Sequence, residues 1–276
     1  MSLPNTTHYE ISNQEFSLFR ELLYQESGIN LSDHKKTLLV SRLTKRLRSL
    51  NMHSFGEYYD YVVEGDSRGE EFVQMLDLLS TNKTDFFREP KHFDFLAKQI
   101  IPELRSKKKI RIWSSACSSG EEPYSIAITV CETTAEETWD SKILASDLST
   151  RVLAHAAHGV YDKARVAALD ASRVKKYFLK GKNSDNVKVK KQLSDMIAFR
   201  RINLMDDEYP IKTELDLIFC RNVMIYFDKE TQERLVNNFY RYLKPNAYLF
   251  IGHSESLQWL DTPFIAIAPT IYQKKG

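Results

Sequence analysis

Lys109-Ile110-Arg111-Ile112-Trp113-Ser114-Ser115-Ala116-Cys117-Ser118-Ser119-Gly120-Glu121-Glu122-Pro123-Tyr124 is the stretch that decides the fold. Residues 110–115 are β-rich and follow a basic, solvated run, Lys107 to Lys109. A turn of small residues comes next, through which backbone can pass close to a ligand. Pro123 then suits the first turn of a helix whose pattern continues to residue 133. The turn has one glycine, so it is not the G-x-G-x-x-G loop that cradles a dinucleotide. Two adjacent glutamates at a helix start repel phosphate and favour a ligand with positive charge, or with hydroxyls that need an acceptor. The plainer alternative is that Glu121 and Glu122 only complement the helix dipole.

Working outward, further strand patterns lie at 142–146, 197–202, 215–219, 248–251 and 264–272, with helical patterns at 122–133, 150–158 and 229–243. Alternation of this kind predicts a doubly wound α/β domain with a mostly parallel sheet. Ligands of such sheets bind beyond the carboxyl ends of the strands, near the switch point. Asp147 falls at one such end, as a ribose acceptor or as the N-cap of the next helix. Arg221 and Asn222 fall at another, straight after an apolar strand, where polar groups are costly unless paired or facing a ligand. The polar stretch between Tyr161 and Asp195 reads as a small inserted hairpin, 177–179 against 187–189, with a turn at Gly181, Asn183, Ser184 and Asp185.

The first 80 residues are punctuated helices. Ser12 with Glu15 and Ser54 with Glu57 have capping-box spacing, and Gly28 is a stop. Phe16, Phe19 and Leu23 share one face; Leu39, Leu43, Leu47 and Leu50 form the stripe of a second helix that starts near Ser32–Asp33; Phe72, Met75, Leu76 and Leu79 belong to a fourth. From His34 to Leu50 there are six basic residues and no acidic one.

Composition excludes several classes. With 42% hydrophobic and 28% charged residues the chain has the make-up of an ordinary globular protein. It has no apolar run near the ~20 residues of a membrane span, and its first ten residues lack a signal-peptide core. A formal net charge of +2 is too small to make nucleic acid the main partner. Cys117, Cys131 and Cys220 are odd in number and unpaired in spacing, which predicts a reducing, cytoplasmic setting with neither disulfide framework nor zinc site. His155 and His158 share a helix face but lack further ligands, so no metal is expected.

The chain resembles the CheR-type chemotaxis receptor methyltransferases along nearly its full length. The carrying stretches are Asn82-Lys83-Thr84-Asp85-Phe86-Phe87-Arg88, Ser119 to Ser125, Ala145-Ser146-Asp147, Ile202-Asn203-Leu204, and Phe219-Cys220-Arg221-Asn222-Val223-Met224-Ile225-Tyr226-Phe227. The resemblance implies a small all-α domain (1–80), a cofactor-covering linker (81–108), and a Rossmann-like class I methyltransferase domain (109–276) whose last strand is antiparallel and which carries an inserted β-hairpin near 177–192. It implies S-adenosylmethionine as methyl donor, S-adenosylhomocysteine as product, and glutamate side chains of a receptor's cytoplasmic helical bundle as acceptors.

Residue by residue, the resemblance places Asn82, Thr84 and Arg88 over the cofactor, Glu122 by its methionine or ribose portion, and Asp147 on the ribose hydroxyls. Asn203 and Leu204 border the adenine, and Asn222 and Val223 close the methionine end. Arg88 and Tyr226 lie nearest the transferred methyl, as catalytic residues. Phe86 and Phe87, two adjacent aromatics, suit a core as well as a cofactor platform. Arg42, Lys45, Arg46 and Arg48 become receptor-docking residues; the alternative is a solvated helix face. Some relatives bind a tethering pentapeptide on the β-subdomain, but the 181–189 turn is shorter here, so none is expected. Asn246 replaces a usual turn glycine before a late strand, which its tolerance of positive φ permits. A monomer is expected.

Two other readings have different signatures. A base-methylating enzyme would carry a Pro-Pro-Tyr run where Cys220-Arg221-Asn222-Val223 stands. A non-catalytic S-adenosylmethionine-binding scaffold or sensor would be expected to have broken motifs, and these are intact.

Overall fold

The computed structural model describes residues 9–66, 69–80, 83–135, 137–181 and 185–276. The chain divides into two compact units, one of residues up to 82 with Tyr226–Asp228, the other of the remainder.

The first unit holds α1 (Asn13–Ser27), α2 (Lys36–Ser49), α3 (Phe55–Asp60) and α4 (Glu70–Leu79). Both halves of the Ser12–Glu15 capping box form, and Gly28 ends α1 with φ 71°. At α3 only half forms: Ser54 Oγ accepts from Glu57 N at 3.1 Å, whereas Glu57 reaches back to His53 N at 2.7 Å. The core is Phe16, Phe19, Leu23, Leu39, Leu43, Leu47, Phe55 and Tyr58, all buried. Three of the basic side chains of α2 are bonded within this unit, Lys36 Nζ donating to Asn13 Oδ1 at 2.7 Å. The Arg42 guanidinium donates to the carbonyls of Leu78, Leu79 and Ser80 at 3.1, 2.8 and 2.9 Å, closing the C-terminus of α4. Arg46 grips the buried Glu71 with Nε 2.8 Å from Oε1, and the Tyr58 hydroxyl donates to the same oxygen at 2.7 Å. Lys45 and Arg48 remain exposed.

In the second unit α5 (Pro90–Phe95), a π turn (Leu96–Ile100) and α6 (Ile101–Glu103) run end to end. Sequence reading left this stretch as linker, although Phe93, Leu96 and Ile100 recur at helical spacing and are buried. Among the described residues there follow β1 (Lys109–Ser114), α7 (Glu121–Thr133), β2 (Asp140–Asp147), α8 (Thr150–His158), β3 (Val160–Asp162), α9 (Ala171–Tyr177), β4 (Phe178–Lys180), β5 (Asn186–Val189), α10 (Lys191–Ser194), β6 (Ile197–Arg201), β7 (Leu215–Cys220), α11 (Lys229–Tyr242), β8 (Leu243–Ile251), β9 (Ile265–Ala268) and β10 (Ile271–Gln273).

The large sheet has the order β6-β2-β1-β7-β8-β10-β9. β1 is parallel to β2 and β7, with Ser114 opposite Ala145 on one side and Phe219 on the other. β10 runs antiparallel to β8 and β9, as the resemblance implied. Chain order reverses between β1 and β7, so the switch-point crevice opens at the carboxyl ends of β1, β2 and β7. β7 is buried at every residue, which fits a central parallel strand covered on both faces. β8 begins earlier than its apolar run; its register against β7 shifts between Leu243 and Tyr248, where Asn246 adopts φ 63°. The expected pairing of 177–179 with 187–189 forms as β4 antiparallel to β5, and β3 adds a third strand, giving the order β3-β5-β4. Val160–Asp162 had gone unread because three residues after a helix-capping glycine show no periodicity. Residues 182–184 of the predicted turn lie outside the described residues. Among the described residues no helix is long and apolar enough to cross a membrane.

Candidate active site

The turn after β1 is shaped by two left-handed residues, Ser118 (φ 47°) and Gly120 (φ 97°). A Cβ at Gly120 would meet Ala156 Cβ at 2.7 Å and Tyr161 Oη at 2.8 Å, so only glycine fits. Tyr161 pins the turn by donating to the Ser119 carbonyl at 2.7 Å. The turn then reaches Asp147, whose Oδ2 accepts from Ser118 N at 2.9 Å and whose Oδ1 accepts from Ser149 N at 3.0 Å. The N-cap of α8 is Ser149, whose hydroxyl accepts from Val152 N. Asp147 is therefore the carboxylate that joins two strand-end loops, and it is partly exposed. Ile202 N donates to the Asp147 carbonyl at 3.4 Å, bringing Asn203 and Leu204 to the same end of the sheet. Asn203 Oδ1 folds its own loop by accepting from Met205 N at 3.1 Å.

Glu121 and Glu122 are buried rather than facing solvent, so dipole complementation alone does not account for them. Glu121 accepts from Ser119 Oγ at 2.6 Å, and Glu122 accepts from Ser114 Oγ at 2.6 Å and from Arg221 Nη1 at 3.0 Å. Burial pushes both carboxyls upward; Arg221 holds back part of the rise at Glu122. Arg221, with 2% of its side chain exposed, also pairs with Glu89 Oε2 at 3.0 Å and donates to the Arg88 carbonyl. Burial raises the Glu89 carboxyl, but Arg221 and the His253 amide and ring together outweigh it and leave Glu89 below the usual carboxylate range. One guanidinium thus ties the end of β7 to the start of α7 and to the segment before α5. Beside it, burial and then the Arg221 charge push His92 down to about 3, so its ring is neutral at pH 7.

The Asn222 loop is held by a second buried carboxylate. Glu255 accepts from Asn222 N at 3.0 Å and Met224 N at 2.8 Å, and also from Gly252 N. Asn222 has φ 59° and its Nδ2 reaches Glu89 Oε1 at 3.4 Å. Val223 follows, partly buried.

Of the remaining expected site residues, Asn82 lies outside the described residues. The Thr84 carbonyl accepts from Arg165 at 2.9 Å. Arg88 is exposed and donates to the Lys83 carbonyl at 3.0 Å. Tyr226 ends a 3-10 turn, and its carbonyl accepts from Asn30 N at 2.8 Å. Phe86 is core, edge-on to Tyr161 and Phe178; Phe87 adopts φ 54°, and the Arg173 guanidinium stands 4.5 Å from its ring centroid. Glu122, Asp147, Asn203, Leu204, Asn222 and Val223 all sit at the carboxyl ends of the sheet or the loops that leave them. Sequence reasoning did not put Glu89, His92, Arg221 or Glu255 among the site residues. Arg221 gave a signal, a charge directly after an apolar strand; its partner 132 residues away gave none.

These groups fit S-adenosylmethionine. A backbone cradle that admits no Cβ, an acidic residue at the end of β2, and two buried carboxylates sharing one guanidinium suit a ligand bearing ribose hydroxyls and positive charge.

The comparisons with known proteins agree. The model described as "CheR methyltransferase, all-alpha domain" matches residues 14–80, and "CheR methyltransferase, SAM binding domain" matches residues 82–272. The chain is 42% identical over 272 residues to a chemotaxis protein methyltransferase of Borreliella burgdorferi, covering 96% of this chain and 95% of that one. It is 41% identical over 267 residues to chemotaxis protein methyltransferase 2 of Pseudomonas aeruginosa, covering 96% and 94%. It is 38% identical over 274 residues to the chemotaxis protein methyltransferase of Escherichia coli, covering 98% and 94%. With two family models spanning nearly all of it and relatives of this likeness, the chain belongs to the CheR methyltransferase family, and its second domain is an S-adenosylmethionine-binding methyltransferase domain.

Proposed function

We propose that this enzyme methylates glutamate side-chain carboxylates in the cytoplasmic helical bundle of chemotaxis receptors, forming methyl esters that adapt the receptor's signal. The observation that carries the reading is identity of 41–42% across 96% of the chain with chemotaxis protein methyltransferases.

When bound, S-adenosylmethionine supplies a methyl group on a sulfonium, a good leaving group. A glutamate carboxylate, with a reference pKa near 4.3, is already an anion at pH 7. No general base is needed, and none of the buried carboxylates is asked to move a proton. The residues' work is alignment and exclusion of water, and alignment alone is worth roughly 7–11 kcal/mol of barrier. Asp147 takes the ribose hydroxyls, Asn203 and Leu204 the adenine edge, and Asn82, Thr84, Glu122, Asn222 and Val223 the remainder of the cofactor. Arg88 meets the incoming carboxylate: its guanidinium has five donors, of which the Lys83 carbonyl engages one. Tyr226 is assigned beside the transferred methyl.

Receptor docking falls to Lys45 and Arg48, the exposed cations of α2, while Arg42 and Arg46 support it from within their own unit. The three cysteines are free, in keeping with work in the cytoplasm, and the enzyme acts as a monomer.

The test is transfer of labelled methyl from S-adenosylmethionine to a receptor cytoplasmic fragment. The label should be released by mild alkali, as an ester is, and lost when the acceptor glutamates become glutamine. Calorimetry with S-adenosylhomocysteine on wild type and Asp147→Ala runs beside it. Arg88→Ala should retain fold and abolish transfer; near-normal rates would remove Arg88 from the role. Tight cofactor binding with no ester formed on any receptor fragment would overturn the reading.

A further inference from the structure

His92 lies in α5 between two oxygens that only accept. Its Nε2 is 2.8 Å from Thr270 Oγ1, and that hydroxyl gives its one proton to the Pro269 carbonyl at 2.6 Å. The ring proton must therefore sit on Nε2, which leaves Nδ1 with a bare lone pair. Nδ1 has no hydrogen-bond partner, although His92 is only 1% exposed. It faces Glu89 Oε2 at 3.6 Å, one acceptor against another with no proton between them. Thr270 holds this arrangement at φ 62°, a left-handed conformation that β-branched residues rarely adopt outside functional sites. On the solvent side His253 Nε2 stands 3.9 Å from the same Glu89 oxygen, with 53% of its side chain exposed. The three ligand atoms lie within 4.8 Å of one another.

We propose that Glu89 Oε2, His92 Nδ1 and His253 Nε2 form a binding site for a divalent transition-metal cation of the Zn²⁺ class. Zinc bonds of about 2.0–2.2 Å at a tetrahedral angle hold nitrogen and oxygen ligands about 3.4 Å apart. The two Glu89 pairs, at 3.6 and 3.9 Å, are near that spacing, and the two imidazoles, within 4.8 Å of each other, close to it by rotation of the exposed His253 side chain. Two imidazoles and one carboxylate select zinc, nickel or copper over magnesium or calcium. The bond from His92 Nε2 to Thr270 is the outer-shell contact that fixes the tautomer of a metal-binding histidine. Exposure of His253 supplies an entry path and leaves a fourth position open to water.

Arg221 opposes the ion, since its Nη2 lies 3.0 Å from Glu89 Oε2. Glu122, 3.0 Å from Nη1 of the same guanidinium, offsets that charge, so the cluster of two carboxylates and one guanidinium carries −1 before the metal arrives. The ion and Arg221 then compete for Glu89. That makes binding reversible and couples the site, through Arg221 and Asn222, to the candidate cofactor site, and the inference does not rest on the proposed acceptor.

The experiment uses the full chain, stripped with chelator and titrated with Zn²⁺ by calorimetry and with Co²⁺ by visible absorption. The comparison is His253→Ala, whose exposed side chain can be removed without disturbing the core; retained S-adenosylhomocysteine binding confirms its fold. Expected are one equivalent of metal on the wild type, a tetrahedral-type Co²⁺ spectrum, and affinity in His253→Ala weakened roughly tenfold or more. Absence of stoichiometric binding, or equal affinity in His253→Ala, would overturn the site.

Discussion

At the scale of single residues, the Arg221 cluster shows how one side chain sets the charge state of its neighbours. Glu89 lies below the ordinary carboxylate range because Arg221, helped by His253, outweighs its burial. A carboxyl depressed by folding stabilises the native state above its unfolded pKa of about 4.3, and that stability is lost as pH falls through the folded value. Glu122 is raised, chiefly by burial, so its cost at neutral pH is relieved in acid; that contribution is present with or without Glu89. Glu89→Gln should therefore be less stable than wild type at pH 7, with the gap closing as pH is lowered below about 4.3. Denaturant unfolding at several pH values measures it, and a gap that widens in acid would contradict the pairing. The cluster also marks where sequence reading stops. Asp147 and Glu122 were legible because each stands next to a strand or helix end in the chain. Glu89 and Arg221 meet only through the fold, and Glu255 only through backbone amides that no motif encodes.

At the scale of elements, local signals were read well and short or non-local ones were not. The Ser12–Glu15 box and the Gly28 stop depend on neighbours within four residues, and both formed as expected. β3 is three residues long and acquires strand geometry only by pairing with β5, so its pattern carried no period. The turn from β1 to α7 was legible as a loop of small residues leaving a strand's carboxyl end, and the structure supplies the reason for its glycine. Gly120→Ala would put a methyl against Ala156 and Tyr161 in a backbone conformation that L-residues avoid. It should destabilise the second unit by about 1–3 kcal/mol and weaken S-adenosylhomocysteine binding, because the turn carries Ser118 toward Asp147. Thermal denaturation and calorimetry test both parts; unchanged affinity in a folded variant would remove the turn from the site. α2 teaches a different lesson. Its five cations look alike in sequence, yet Arg42 caps α4 and Arg46 neutralises a buried glutamate. Charge count alone does not tell an anchoring cation from a docking one, since that depends on which carbonyl or carboxylate lies across the helix pair.

At the scale of the whole molecule, the mostly parallel sheet and its antiparallel strand followed from alternation plus resemblance, while the strand order came from the structure; charge sets apart the tasks proposed for the two units. Glu122, proposed to hold the cofactor, and its partner Arg221 are buried, where salt screens poorly, whereas Lys45 and Arg48 are exposed on α2. Exposed charges more than about 10 Å apart are largely screened at 0.1 M salt. If Lys45 and Arg48 steer an acidic receptor bundle, kcat/KM for receptor methylation should fall steeply between low salt and physiological salt. Affinity for S-adenosylhomocysteine should stay nearly constant over the same range. Lys45→Glu with Arg48→Glu should flatten the salt dependence and lower kcat/KM at low salt, with fold and cofactor affinity kept. Arg42→Ala and Arg46→Ala should instead lower the stability of the helical unit, since the first uncaps α4 and the second leaves Glu71 buried and unpaired, a loss of about 3–5 kcal/mol. Should the double variant methylate receptor with wild-type salt dependence, docking would have to reside elsewhere than on α2. The two pairs of substitutions separate the roles, because one changes the rate without changing stability and the other changes stability first.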